Sequence, residues 1–523
     1  MAISKKGKVY LVGAGPGDPG LLTLRAKKCL SQADVVIYDN LANRIFLRYA
    51  DVDAERIYVG KKGGNHTLSQ GKINSLIVER AQQGRCVVRL KGGDPFIFGR
   101  GGEEALELAK AGLSFEVVPG ITSAIAVPAY AGIPLTHRGY TSTVAFITGH
   151  EDPHKEETDI AWDKLTTGIG TLVFLMGVGN LPRIAETLLK HGRPPDTPVA
   201  VIRSGTLTEQ KTLVGTLRNI ARLAEDNDLK PPAVIVVGGV VNLRNQLNWF
   251  ENTPLFGKRI VVTRAREQAS GFLESLVTLG ADCIEFPTIE IVPPEKWNAL
   301  DRAIQNIETY NWLLFTSPNG VKYFLNRLAA VRKDVRDLKG VRIGAIGPKT
   351  AERWHELGIR LDLMPDEYRA EAIVEALKVW QIKGARILLP RAAQARETLP
   401  EELRKMGAHV DVVSAYQTVK PEYDTKRVRK MLKNGTIHMV TFTSSSTVLN
   451  FVDMFDVDHD RLVEWMRAVA VACIGPITAK TAQMKGFKVD LIAPEYTIDS
   501  LRESILDYFV SAPERRVPNP SHA

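Results

Sequence analysis

Four cysteines in 523 residues, at positions 29, 86, 283 and 473, are too few and too scattered for a disulfide framework. None forms a CxxC pair or stands near a histidine at ligand spacing, so no metal is expected, and Cys29, Cys86, Cys283 and Cys473 read as small, buried or half-buried hydrophobes. Long apolar runs are also missing. The longest, Ala233-Val-Ile-Val-Val237 and Thr171-Leu-Val-Phe-Leu-Met176, have strand length, against the ~20 residues a spanning helix needs. The start offers no signal-peptide core, because Ser4-Lys-Lys-Gly-Lys8 runs straight into a strand. A soluble, cytoplasmic chain without a membrane partner is expected. The 42 glycines and 28 prolines follow no period, which rules out a collagen-like chain, and 44% hydrophobic residues rule out disorder. Blocks of like charge are absent as well. The net charge of +9 favours an anionic partner, yet Lys and Arg alternate with acids, so a nucleic-acid footprint is not expected.

What is present is alternation. Val9-Tyr-Leu-Val12, Val35-Val-Ile-Tyr38, Cys86-Val-Val-Arg-Leu90 and Phe115-Glu-Val-Val118 are β-branched runs, each followed by turn chemistry and a helical pattern. That is the signature of an α/β chain with largely parallel sheets, and its length suits about three to four domains. The pattern breaks over residues 245–258, and a new unit begins at Lys258-Arg-Ile-Val-Val-Thr-Arg264. The expected organisation is therefore 1–245, a linker at 246–257, a second half at 258–510, and a flexible tail at 511–523.

The second half repeats itself. Lys258-Arg-Ile-Val-Val-Thr-Arg-Ala is echoed by Ala385-Arg-Ile-Leu-Leu-Pro-Arg-Ala, and Trp312-Leu-Leu-Phe-Thr-Ser-Pro-Asn by Met439-Val-Thr-Phe-Thr-Ser-Ser-Ser. Ile346-Gly-Pro-Lys-Thr-Ala351 returns as Ile474-Gly-Pro-Ile-Thr-Ala479. Two similar α/β lobes of one duplicated design are expected, with a ligand cleft between them.

Three glycine-rich loops mark the first half. Gly13-Ala-Gly-Pro-Gly-Asp-Pro-Gly20 contains a GxGxxG-like string, but Pro16 removes an amide donor and Asp18 adds negative charge where a pyrophosphate would lie. The loop suits a neutral or cationic ligand. In the second loop, residues 89–104, Gly92 and Gly93 permit close backbone approach and Asp94 can hold a hydroxyl or a cation. The third, Val118-Pro-Gly-Ile-Thr-Ser123, places hydroxyls at a helix start, where capping is an equal explanation.

These loops, with Tyr38-Asp-Asn-Leu41, Val59-Gly-Lys61 and Pro134-Leu-Thr-His-Arg138, closely resemble the tetrapyrrole methylase family, and within it the uroporphyrinogen-III C-methyltransferases. The resemblance covers about residues 8–245. It implies a two-domain methylase fold, usually homodimeric, with S-adenosyl-L-methionine folded in its cleft. By position it implies a donor site of Pro16, Gly92, Gly93, Asp94, Ile97, Thr122, Ser123, Met176 and Gly205. It also implies Asp39 as proton acceptor and Lys61 as proton donor. Residue chemistry alone leaves alternatives beside these: core packing for Met176, a helix N-cap for Asp39, and Lys62 as a charge equivalent to Lys61. The substrate's eight carboxylates would give the basic balance a purpose, with Lys91, Arg100, Arg138 and His150 as candidates to meet them.

Residues 258–510 contain no nucleophile elbow, phosphate loop or metal pattern. Their small hydroxyl loops at matched strand ends either cap helices or offer amides to anions. Phe315-Thr-Ser-Pro-Asn-Gly320, Ala415-Tyr-Gln-Thr418 and the two Ile-Gly-Pro strings resemble uroporphyrinogen-III synthase. That family implies two flavodoxin-like lobes, here 258–291 plus 418–510 and 292–417, and closure of hydroxymethylbilane with inversion of one pyrrole. Tyr416 matches the tyrosine that helps the hydroxyl leave, with a merely buried strand-end tyrosine as the alternative; Thr350, Ser444 and Thr478 are further candidates for substrate contact. Together the halves imply a bifunctional route from hydroxymethylbilane to precorrin-2, feeding sirohaem or cobalamin synthesis. A methylase acting on RNA or protein, joined to a non-catalytic tetrapyrrole sensor, is the competing expectation.

Overall fold

The computed structural model describes residues 7–60, 68–150, 159–264, 266–367, 370–394, 397–421, 424–455 and 457–511. Contacts divide the chain into two compact units, Met1–Lys258 with Leu276–Asp282, and Arg259–Ser275 with Cys283–Ala523.

The first unit contains two five-stranded sheets. One is formed by β1 (Lys8–Gly13), β2 (Val35–Tyr38), β3 (Glu55–Tyr58), β4 (Val87–Lys91) and β5 (Ser114–Val118), in the order β3-β2-β4-β1-β5. All four of its pairings are parallel, which aligns the carboxyl ends of all five strands along one edge. The loops that leave that edge carry the glycine-rich strings. The second sheet, β6 (Val144–Thr148), β7 (Thr171–Leu175), β8 (Pro198–Arg203), β9 (Lys211–Thr216) and β10 (Ala233–Val237), runs β6-β7-β10-β8-β9 with antiparallel pairs around β10 and β8. Valine-rich β10 is buried along nearly its whole length, as a central strand covered on both faces requires.

The stretch read as a linker is packed instead. Trp249 Nε1 donates to Ala129 O at 3.0 Å, Arg244 pairs with Glu251, and Leu255 is fully buried. Tyr130, Trp249, Phe250 and Phe256 form a chain of edge-to-face rings, so aromatic packing anchors this segment to the first unit.

In the second unit the duplicated segments are exchanged. β11 (Arg259–Val262) and β12 (Asp282–Glu285) are followed by β13 (Glu290–Val292), β14 (Trp312–Phe315), β15 (Arg342–Ala345), β16 (Arg386–Ala392) and β17 (His409–Val419), then by β18 (Met439–Phe442), β19 (Ala470–Cys473) and β20 (Leu491–Ile492). The sheets read β12-β11-β18-β19-β20 and β13-β17-β16-β14-β15. Each sheet thus holds one copy of every repeated segment, but the first copy of the Arg-Ile motif joins the second copies of the other two. Similar local structure underlies the match. The helices Pro348–His355 and Pro476–Met484 both start on an extended glycine with proline at the first position, where its missing N–H costs nothing. Ser317 and Ser444 cap the helices that follow the corresponding strands β14 and β18 of the two sheets.

Candidate active sites

In the first unit the three glycine-rich loops meet backbone to backbone. Gly93 N donates to Gly15 O at 2.7 Å and Gly15 N to Gly93 O at 3.1 Å. A Cβ on Gly13 would lie 2.5 Å from Gly120 Cα, and one on Gly120 only 2.3 Å from Gly93 O. No side chain fits that junction. Gly93 also adopts φ +65°, open to few other residues. Beside it, a Cβ on Gly92 would lie 2.6 Å from Leu41 Cβ.

Asp94 is a loop organiser. Its Oδ1 accepts from Phe96 N at 2.8 Å and Ile97 N at 3.1 Å, while Oδ2 accepts from Gly120 N at 3.0 Å, tying the second loop to the third. Thr122 caps the helix Ser123–Tyr130 by accepting from Ala124 N, which leaves Ser123 as the first helical residue. Pro16 is half-buried. Asp18 accepts from Gly20 N at 2.7 Å and from the Tyr130 hydroxyl at 2.6 Å, and its own amide donates to Thr206 Oγ1 at 3.2 Å. Burial, then the bond to Asp18, pushes the Tyr130 phenol well above its ordinary range. The opening loop is in this way joined to the loop after β8, which carries Gly205; a Cβ there would lie 2.4 Å from Val127.

Met176 does not pack into the core. It stands 54% exposed at the end of fully buried β7, with φ +58°. Ile97 is exposed beside Phe96 and Phe98. Among the described non-glycine residues with left-handed backbone, Phe98, Arg100, Met176, Ser204 and Thr206 all follow β4, β7 or β8, and the other three are Asp228, Arg332 and Gln381. Strain concentrated on strand-end loops is the pattern of a ligand site.

Asp39 follows β2 directly. Its Oδ1 accepts from Leu41 N at 3.0 Å, a local turn rather than a helix cap, and its Oδ2 accepts from Arg89 Nη2 at 3.0 Å. Arg89 is buried, and its Nε donates to Glu104 Oε1 at 3.2 Å. Lys91 Nζ reaches the same oxygen at 2.9 Å. Lys91 is therefore buried and committed to Glu104, which corrects its expected role as a receptor for substrate carboxylates. Burial, then the neighbouring Arg89 charge, pulls its ammonium below the ordinary range. Arg100 is exposed and paired with Glu103, while Arg138 and His150 are exposed. Lys61 lies outside the described residues. Sequence reasoning missed Arg89 and Glu104, although the strand Val87-Val-Arg-Leu-Lys91 carried a signal: two charges at alternate positions of a run otherwise fit for a buried strand.

In the second unit Tyr416 lies on β17, 8% exposed, and its hydroxyl shares a 3.0 Å hydrogen bond with Ser317 Oγ. Its ring stacks against Tyr323 with centroids 5.9 Å apart. Burial pushes the phenol up, and the serine bond opposes this in part. Ser317 also accepts from Gly320 N at 3.0 Å, so one hydroxyl caps the helix Pro318–Ala330 and holds the tyrosine. Ser444 serves as a cap, accepting from Thr447 N. Thr350 and Thr478 are both largely buried, each in the first turn of its helix, at matched places in the two lobes. The structure does not bring Ser444 and Tyr416 into contact; their strands belong to different sheets.

Among the described residues there is no cluster of three His, Cys, Asp or Glu side chains able to hold a metal. Nor is any helix among them long and apolar enough to cross a membrane.

Residues 8–221 match the family model of tetrapyrrole (corrin/porphyrin) methylases, and residues 271–503 that of uroporphyrinogen-III synthase HemD. The porphyrin biosynthesis protein HemD of Ruminiclostridium josui is 37% identical over 96% of this chain and 98% of its own length. An S-adenosyl-L-methionine-dependent uroporphyrinogen III methyltransferase of Methanosarcina barkeri is 58% identical over 46% of this chain and 94% of its own. The crystal structure of a uroporphyrin-III C-methyltransferase from Thermus thermophilus, complexed with S-adenosyl homocysteine, is 41% identical and covers 45% of this chain and 100% of its own, with a TM-score of 0.39.

Proposed function

The chain belongs to the tetrapyrrole methylases through its first half and to the uroporphyrinogen-III synthases through its second, and from that premise we propose that it closes hydroxymethylbilane to uroporphyrinogen III and methylates that product twice, giving precorrin-2. The observation that carries the methylase reading is the glycine junction at the carboxyl edge of the first sheet, with Asp39 on the same edge. Such a junction cannot be filled by side chains, and the exposed, strained Met176 fits an apolar ligand surface better than a core.

S-adenosyl-L-methionine, when bound, supplies an electrophilic sulfonium methyl. Pro16, Gly92, Gly93, Asp94, Ile97, Thr122, Ser123, Met176 and Gly205 are the residues that would hold it. The absence of an amide at Pro16 and the carboxylate of Asp18 fit a cationic donor and disfavour a pyrophosphate. The chain's own residues orient the electron-rich pyrrole and exclude water, which lowers the barrier by the entropy of alignment. Addition of methyl to a ring carbon leaves a cation, and the Asp39 carboxylate takes up the proton that restores the neutral ring. In the second unit the Tyr416 hydroxyl donates to the departing hydroxyl of the linear tetrapyrrole, supported by its bond to Ser317. The relatives' names speak for a tetrapyrrole acceptor rather than RNA or protein. The sirohaem and cobalamin branches, cytoplasmic location and homodimerisation through the methylase half belong to the same proposal and rest on the family likeness.

Incubation of the whole chain with fresh hydroxymethylbilane and S-adenosyl-L-methionine tests it. The expected product is a type III macrocycle heavier by two methyl groups. Release of only the type I isomer removes the synthase reading; binding of NAD but not S-adenosyl homocysteine, measured by calorimetry, removes the methylase reading.

A further inference from the structure

Beneath Asp39 lies a buried charge cluster that the proposed chemistry does not by itself require. Arg89 spends its guanidinium on three sides: Nε on Glu104 Oε1 at 3.2 Å, Nη1 on the carbonyls of Leu90 at 3.0 Å and Ile37 at 3.4 Å, and Nη2 on Asp39 Oδ2 at 3.0 Å. Glu104, fully buried in the first turn of the helix Gly101–Lys110, gathers Arg89, Lys91 and the Gln70 amide on one oxygen. Two cations and two carboxylates cancel, so the cluster is neutral as a whole, whereas loss of one member strands a charge where water cannot reach it. Arg89 and Lys91 are alternate residues of β4, and Gly92 and Gly93 follow at once. The same strand end therefore holds Asp39 from below and launches the loop assigned to the methyl donor.

We propose that Arg89, fixed by Glu104, is the positioning residue that sets the Asp39 carboxylate relative to the Gly92–Gly93 loop for proton acceptance. This rests on the reading of Asp39 as acceptor. The guanidinium takes one lone pair of Oδ2 and the Leu41 amide one of Oδ1, which leaves a lone pair on each oxygen for a substrate proton. A lysine at position 89 keeps the charge but cannot span Glu104 and Asp39 with the fixed fork of arginine.

The test compares Asp39→Asn, Arg89→Lys, Arg89→Met, the neutralised pair Arg89→Met/Glu104→Gln, and Arg89→Met/Asp39→Asn in the full chain. Each is followed by methyl-transfer kcat and KM, calorimetric affinity for S-adenosyl homocysteine, and melting temperature. The inference expects kcat to fall about 100-fold in Arg89→Met and in the neutralised pair, with KM and donor affinity within about threefold, as misplacement of a catalytic group does. The neutralised pair should melt higher than Arg89→Met while its kcat stays low, and Arg89→Lys should recover melting temperature more than kcat. Arg89→Met/Asp39→Asn should be no slower than Asp39→Asn alone, since both changes remove one function. Recovery of kcat together with melting temperature in the neutralised pair, or multiplicative losses in the last variant, overturns the positioning role. Full activity in Asp39→Asn instead removes the acceptor reading on which it depends, and the two failures are told apart by that variant. If Arg89→Met does not fold, the neutralised pair and Arg89→Lys decide.

Discussion

The two halves build their sites from different materials. In the first, backbone presses on backbone at Gly13, Gly93 and Gly120, a buried ion cluster underlies the edge, and non-glycine residues take left-handed conformations on the surrounding loops. In the second, the candidate residues are helix caps and a tyrosine held by one of those caps, Ser317. Close backbone contact tolerates only glycine, so it writes long, inflexible strings into a sequence. A cap asks only for a short hydroxyl side chain at a helix start, and several residue types satisfy it. The chemistry follows the same division. Directed transfer of one carbon needs a placed acceptor for a proton, whereas ring closure through a reactive cation needs mainly a shaped surface.

The sharpest way to break this comparison is Asp39→Asn. It should slow methyl transfer by about 10²-fold or more, the usual loss for a missing general base, and leave ring closure by the same preparation unchanged. Equal damage to both activities would show that the halves are not separable. Next is Gly120→Ala. With a Cβ 2.3 Å from Gly93 O, something must shift, and overpacking of that kind costs about 1–3 kcal/mol. Affinity for S-adenosyl homocysteine should fall at least about tenfold, read by calorimetry beside a melting curve. Gly102→Ala, where no heavy atom lies within 4 Å of the added Cβ, is the control expected to change little.

Tyr416→Phe probes the other half. If shape dominates there, ring closure should slow by only about tenfold, below the roughly 10²- to 10⁴-fold usual for loss of a general acid, with methyl transfer unaffected. A loss as deep as that in Asp39→Asn would erase the contrast. The smallest effect is one of pH. Burial raises the Tyr416 phenol above its ordinary value of 10.0, so the folded state binds its proton more firmly than the unfolded chain. The stability this contributes is complete below pH 10.0 and is lost as pH climbs through the higher folded value. Chemical denaturation between about pH 9 and pH 11 should therefore show a steeper decline for the natural chain than for Tyr416→Phe. Parallel declines would mean that the buried hydroxyl has no such influence.

Much of the first half was readable because its determinants are local. Gly-Gly-Asp-Pro in residues 92–95 announces a tight loop, and Thr122 and Ser123 announce a helix start, within a few residues of themselves. The error over Lys91 shows the limit. A lysine followed by two glycines reads as a solvent-facing cation, and nothing nearby discloses that Glu104, a turn into the next helix, will claim it. Met176 shows the limit from the other side: residue chemistry alone left core packing open beside a place in the donor site, and only the left-handed turn that exposes it speaks against the core. Thr350 and Thr478 were legible as helix-start hydroxyls, but which side of the first turn faces inward depends on the sheet beneath.

By itself, then, the sequence determined the alternation of strands and helices, the presence of a duplicated design and the loops where only glycine fits, because these follow from propensity, turn chemistry and steric exclusion over short spans. Folding in three dimensions decided which copy of each repeat joined which sheet, and it brought Asp39, Arg89, Lys91 and Glu104 into one neutral, largely buried cluster. Arg89 stands 50 residues from Asp39 and 15 from Glu104, and a charge that must be matched out of water can choose its counter-charge only after the chain has excluded the water.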